Sequence, residues 1–548
     1  MSPRARISGM ALGAALVEPL VWYAYYWVAL FVLEERLWRI VSAAPLRVLR
    51  RSWFATWAYA PLHAVALALF GYVLPAAAAT LRSACLADRG CRGRLRSDAW
   101  GFYDDNDAQW RKFRSALPLL AAAAAATVAA ARAFGARARF LGGLAFVAAA
   151  HGSHAPFVLA WCAAFHGAAR APRRLARPAV WALALLALAC KERAWPLRRR
   201  MTWAYVASAP RLDAHGGLAP LADALPFLAL RLASCALDGL REGAPATFRD
   251  LVAYATYAPL YLAGPVATYG DFVVRAPPPG VASYAARTAI AGLYLEAALR
   301  RTHVYALAAS GAYGALPPGA AAAFAFLFIN VLWLKFAFLW RCFRCWALAD
   351  GVDAPENMRR FVCDNFTIAG FWRGWHASFN GWLRAYVYDD ARRACGPAAA
   401  SAVAFGFVAY WHDATPRLAL WGAANVGFLA LERALGLERR ARAVVAAGEA
   451  GPRRRAAAAA AAGSILALIA GNVAGYALGA GGVARLAGAV AARDVARGAA
   501  VLAAAFVVLY AGAMAALAVR RLEHVHDAET RGDDAAGKRP RSPARAPA

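Results

Sequence analysis

Apolar stretches long enough to cross a bilayer recur along nearly the whole chain, separated by clusters of arginine. Candidate spans cover 10–33, 53–80, 116–135, 139–168, 218–236, 246–272, 285–314, 318–346, 398–411, 418–431, 457–480 and 498–519. A hydrocarbon core of about 30 Å needs about 20 apolar residues in helical form. Helices also satisfy their own backbone hydrogen bonds where no water is present. The pattern predicts an all-α, polytopic transmembrane helical bundle of about 10–12 spans, with re-entrant or interfacial helices among them. Composition agrees: 61% of the 548 residues are hydrophobic and 17% are charged, against roughly 45–50% and 25% in soluble domains. That balance excludes a disordered chain and argues against an ordinary soluble enzyme.

Lys+Arg numbers 62 and Asp+Glu 32, for a formal charge of +30. Nucleic-acid binding is the reflex reading of such an excess. Here the cations sit between apolar blocks, as the positive-inside pattern requires, so no nucleic-acid partner is expected. Lysine occurs only at 112, 191, 335 and 538. The excess is therefore arginine, in a chain also rich in Ala, Gly and Pro, and compositional bias accounts for part of it.

The first 33 residues read as a retained span, because the apolar stretch is long, contains Glu18 and Pro19, and lacks a small-residue cleavage pattern. The apolar stretch 178–190 is too short to cross and has basic flanks on both sides, so it is expected to dip or lie flat. Arginines crowd 433–455, and the basic tail 521–548 reads as disordered. Two full spans separate these regions, which places both on one side, the cytosol. Residues 1–520 then form one multi-span domain with its core at 100–436. Among nine cysteines, Cys342 and Cys345 share a helix face with no second pair to complete a zinc site, so no metal is expected. Cys85 and Cys91 lie in a polar loop and can pair if that loop is lumenal.

Two of the ten histidines stand out. His412 lies in the turn Trp411-His412-Asp413-Ala414-Thr415-Pro416-Arg417 between two short apolar runs. Those runs read as a hairpin entering from the cytosolic side. A His–Asp pair at membrane depth is costly unless it is buried or water-lined, and is a functional candidate for that reason. An interfacial turn is the structural alternative. His376 lies in Phe371-Trp372-Arg373-Gly374-Trp375-His376-Ala377-Ser378-Phe379-Asn380-Gly381-Trp382. On one continuous helix, Trp372, Trp375, Phe379, Trp382 and Tyr386 form an aromatic stripe beside a polar stripe of Arg373, His376, Asn380 and Arg384. An interfacial amphipathic helix explains the arginines and tryptophans, but explains His376 and Asn380 less well. A straight helix would hold His376 and His412 about 54 Å apart. They can meet only if the chain turns back, and Gly396-Pro397 supplies a break.

These segments resemble the membrane-bound O-acyltransferase family, within it the fungal glycerol uptake and hedgehog-acyltransferase-like subgroup. The resemblance runs through Asp107-Ala108-Gln109-Trp110-Arg111-Lys112-Phe113-Arg114 and Tyr254-Ala255-Thr256-Tyr257-Ala258-Pro259-Leu260-Tyr261-Leu262-Ala263-Gly264-Pro265. It continues through Asn330, Pro355-Glu356-Asn357-Met358 and Phe371-Trp372-Arg373 to Trp421-Gly422. The chain departs from the family where Ala385 replaces an expected Arg and Asp389 through Arg393 replaces a Pro-Leu-Gly-Gly turn.

The resemblance implies a membrane-embedded tunnel in which an acyl group passes from acyl-CoA, as co-substrate with no bound cofactor, to a hydroxyl. It implies His412 as general base and His376 as its orienting or oxyanion-stabilising partner. Asp413, Asn380 and Trp375 are supporting candidates, and Arg373, Arg384, Trp372 and Tyr386 are candidates for holding acyl-CoA. The fungal likeness implies a GPI-anchor lyso-lipid as acceptor, GPI lipid remodelling, and a multi-pass place in the endoplasmic reticulum membrane among membrane lipids. The alternatives are a hedgehog-acyltransferase-like protein palmitoyltransferase, an inactive homologue, or a polyol–proton transporter in which His412 and Asp413 relay protons.

Overall fold

The computed structural model describes residues 32, 34, 37–39, 73–191, 201–278, 280–448, 451–491 and 494–536. The expected span 10–33 and most of 53–80 lie outside the described residues. The remainder is an all-α bundle with a single two-stranded hairpin among the described residues. Its helices are α1 (Leu74–Ala87), α2 (Ala108–His151), α3 (Ala155–Ala168), α4 (Arg173–Lys191), α5 (Leu221–Glu242), α6 (Val281–Arg301) and α7 (Pro318–Ala349). They continue as α8 (Ile368–Gly374), α9 (Ala377–Leu383), α10 (Asp389–His412), α11 (Pro416–Ala434), α12 (Leu437–Ala447), α13 (Pro452–Asn472), α14 (Gly479–Ala491) and α15 (Val495–Ala536). Among the described residues, five helical stretches are long and apolar enough to cross a membrane, or six if the bent pair α11–α12 counts as one.

Local chemistry sets several boundaries. Asp107 caps α2 by accepting from the Trp110 amide at 2.7 Å, and Thr415 caps α11 with Pro416 as its first residue. The expected spans 116–135 and 139–168 meet at Gly135, whose φ of 66° kinks α2 without ending it. Gly396, with φ 80° and Pro397 behind it, likewise bends α10.

Several expectations need correction. The run 178–190 is part of α4, a 19-residue helix that packs its Val180, Ala184, Ala187 and Leu188 face in the core with α5. The two short runs around His412 belong to longer helices of 24 and 19 residues. The hairpin stands, but it starts at Asp389. The expected span 246–272 breaks into Phe248–Ala255, Ala258–Tyr261 and irregular chain. That chain is buried in protein, where Tyr254 Oη donates to the Ala267 carbonyl and the Val266 and Tyr269 amides donate to Ser378 and Ser234. Irregular backbone at membrane depth is tolerated on those terms. The span 285–314 breaks at His303, φ 47°. Helix α15 runs to Ala536, so residues 521–536 of the expected tail are helical.

Chain direction sorts the bundle into two ends. At one end lie the Cys85–Cys91 disulfide and the hairpin β1 (Arg96–Asp98) and β2 (Gly101–Tyr103). Arg300, at the end of α6, forms two hydrogen bonds to Asp98 there and holds that carboxyl below its usual range. At the other end Arg139 pairs with Asp350 at 2.7 Å, Arg360 with Glu523 at 2.9 Å, and Arg521 donates to the Val445 and Ala446 carbonyls.

Candidate active site

The helix expected over 371–386 is two helices. Trp375 is extended and His376 adopts a left-handed φ of 44°. An L-residue takes that conformation only under outside constraint. The constraint comes from the Pro355–Met358 loop. The Ala377 amide donates to the Asn357 carbonyl at 2.9 Å, and the Arg359 amide to the Gly374 carbonyl at 3.0 Å. The Ser378 amide and hydroxyl both donate to Asn357 Oδ1. Asn357 thus caps α9 from 21 residues away. The break turns the aromatic stripe inward. Phe379, Trp382 and Tyr386 are buried in the core rather than facing lipid, and Trp372 and Trp375 sit on the other side of the break.

His376 is buried and lies flat on Trp340, with ring centroids 4.3 Å apart and planes 17° from parallel. Its Nε2 has no hydrogen-bond partner among the described residues. Phe379 stands 5.0 Å away and Trp411 6.0 Å. Trp411 is anchored by its Nε1 to the Pro226 carbonyl at 3.1 Å. His412 follows it at the end of α10, with its ring 4.8 Å from Trp411 and 5.6 Å from Tyr476. The two imidazoles therefore flank one indole, that of Trp411. Three bends bring them together: the left-handed His376, a π-helical turn over Arg384–Tyr388, and the Gly396 kink.

The other expected site residues divide. Asn380 lies one turn from His376, but its Nδ2 donates to the Trp372 carbonyl at 2.6 Å, tying α9 to α8. Asp413 is 72% exposed and faces Lys191 at 3.9 Å. Trp375 stacks on Phe371 and meets Trp340 edge-on. Trp372 donates to Asn425 Oδ1 at 3.1 Å and packs edge-on against Trp421. Arg373 pairs with Glu438 and lines a cavity of about 700 Å³ together with Arg359, Arg360, Arg442 and Arg520. Its lining also includes Glu356 and Gly374, next to Asn357 and two residues short of His376 in the chain. An apolar pocket of about 70 Å³ adjoins it through Asn365 and Thr367, lined by Ile329, Phe371, Leu468 and Leu509. Arg384 and Tyr386 lie elsewhere. Arg384 is exposed, and Tyr386 Oη sits 2.8 Å from both Asp238 and Ser234, under Arg241.

Sequence reasoning gave no site role to Trp340, Lys191 or Asn357, although Asn357 stands in one of the strings that carry the resemblance. Lys191 Nζ donates to the His412 carbonyl, capping α10 where a cation complements the helix dipole. A signal was available, since four lysines in an arginine-dominated chain stand out. A second of them, Lys335, is also buried and pairs with Asp107 at 2.8 Å.

Residues 180–448 match the membrane-bound O-acyltransferase family, a stretch that holds both histidines. The chain is 38% identical over 187 residues to Membrane-bound O-acyltransferase GUP1 of Saccharomyces cerevisiae, covering 33% of each chain. It is 37% identical over 182 residues to Membrane-bound O-acyltransferase GUP2 of the same yeast, covering 32% of this chain and 30% of the relative. The protein of Schizosaccharomyces pombe named Membrane-bound O-acyltransferase gup1 is 35% identical over 192 residues, 34% of this chain and 33% of the relative. The matches thus span about a third of the length of these relatives.

Proposed function

We propose, on the premise that residues 180–448 belong to the membrane-bound O-acyltransferase family, that this protein transfers a long-chain acyl group from acyl-CoA to a lipid hydroxyl. The acceptor is a GPI-anchor lyso-lipid and the site of action the endoplasmic reticulum membrane. One observation carries the reading: two histidines 36 positions apart in the chain flank a single buried indole inside the matched segment. In this reading His412 takes the proton from the attacking hydroxyl, a task suited to imidazole near neutral pH. His376, held flat by Trp340, steers the acyl carbonyl with its unpaired Nε2. The arginine-lined cavity takes the CoA phosphates, and the apolar pocket beside it takes part of the chain.

The topology supports donor entry from the cytosol. Disulfides persist in oxidising compartments, so the Cys85–Cys91 end is lumenal and the arginine-rich end cytosolic, in line with the positive-inside rule. An Asn-x-Ser acceptor introduced at the 98–101 hairpin turn is expected to be glycosylated in a eukaryotic host, and one introduced at 448–451 is not. The reverse pattern rejects this orientation.

The activity is tested with the purified full chain in nanodiscs, supplied with labelled acyl-CoA and lyso-GPI. Acylated product supports the proposal. Product with a lysophospholipid alone corrects the acceptor, and polyol transport without acyl transfer rejects the reading.

A further inference from the structure

We infer that Asn357, which the acyl-transfer reading above does not use, donates the hydrogen bond that stabilises the acyl carbonyl oxygen as it becomes negative. The inference rests on that reading.

The argument begins with what each side-chain atom of Asn357 does. The residue is fully buried. Its Oδ1 accepts from the Ser378 amide and hydroxyl, which fixes which atom is oxygen and which is nitrogen. Its Nδ2 is then a donor, and it is buried without a hydrogen-bond partner among the described residues. A buried amide donor left unmatched costs about 1–3 kcal/mol, and such groups call for an explanation, catalytic use among them. A cap alone does not explain it. Aspartate caps a helix as well as asparagine does and would leave no idle donor.

Position supplies the explanation. The Asn357 carbonyl receives the Ala377 amide, so the residue abuts the first turn of α9, which begins directly after His376. His376 Nε2, on the residue just before Ala377, is likewise buried without a hydrogen-bond partner among the described residues. Glu356, which receives the Asn357 amide at 3.1 Å, is one of the residues lining the arginine-rich cavity. In the proposal, an acyl thioester whose phosphates sit in that cavity extends past Glu356 and Gly374 of its lining to bring its carbonyl to Asn357. Asn380 is not free for this duty, because its Nδ2 is spent on the Trp372 carbonyl.

In the step itself, the acceptor oxygen bonds to the carbonyl carbon and the carbon–sulfur bond breaks. The hydroxyl proton passes to His412 and from there to the departing thiolate. Charge gathers on the carbonyl oxygen between these events, where a preorganised donor counts most.

Asn357→Asp keeps the cap acceptor and removes the amide donor. With acyl-CoA and a lyso-lipid in nanodiscs, its kcat is expected to fall about 100-fold, with KM for acyl-CoA and the melting temperature near those of the wild type. Asn357→Ala, which loses the cap as well, is expected to melt lower, separating the structural role from the chemical one. Wild-type kcat in a folded Asn357→Asp protein overturns the inference while leaving the acyl-transfer reading intact. A wild-type protein without acyl transfer overturns both, since no carbonyl would then need the donor.

Discussion

Replacing His412 with alanine is expected to lower acyl transfer by about 1,000-fold, within the roughly 10²–10⁴-fold that general base catalysis contributes. The fold should survive. The ring meets its neighbours edge-on, against Trp411 and Tyr476, and the Lys191 bond goes to the backbone carbonyl, which alanine retains. Expression and melting temperature should thus match the wild type, with KM for acyl-CoA little changed because the arginine-lined cavity is untouched. Exogenous imidazole should restore part of the rate to a His412→Gly protein, which separates a base from a packing residue. Full activity in His412→Ala would remove this residue from the mechanism.

Trp382→Ala is expected to destabilise the protein by about 3–5 kcal/mol, the range for truncating a buried tryptophan. Trp382 is completely buried. Its Nε1 donates to the Leu230 carbonyl at 3.0 Å, and its ring packs on Phe407 at 5.6 Å and Tyr386 at 5.2 Å. Lipid offers little hydrophobic drive between helices, so packing of this kind carries the stability. The loss should show as a lower melting temperature in detergent, with Trp382→Phe affected less than half as much. An unchanged melt would place the residue toward lipid, as an interfacial helix requires.

That contrast shows how far local pattern carries. The stripe Trp372, Trp375, Phe379, Trp382 and Tyr386 is real in the sequence, yet it belongs to two helices. Nothing in residues 371–386 announces the left-handed turn at His376, because its cause is the Asn357 loop. The stretch 246–272 misleads in another way. Hydropathy reports that a segment avoids water, and chain buried in protein avoids water as well as a span does. Gly264 and Pro265 were visible warnings. Conversely, Gly396-Pro397 was legible as a bend because glycine and proline carry their conformational limits with them.

The helical class and its membrane setting follow from apolar run length, a local property, and residue chemistry marks His376 and His412 as candidates. The convergence of the imidazoles does not. It depends on bonds between distant partners: Lys191 with the His412 carbonyl, 221 positions apart, Tyr386 with Asp238, 148 apart, and Ser378 with Asn357, 21 apart. Such pairings form only once the helices have packed, since no nearby residue in the chain can supply the missing donor or acceptor.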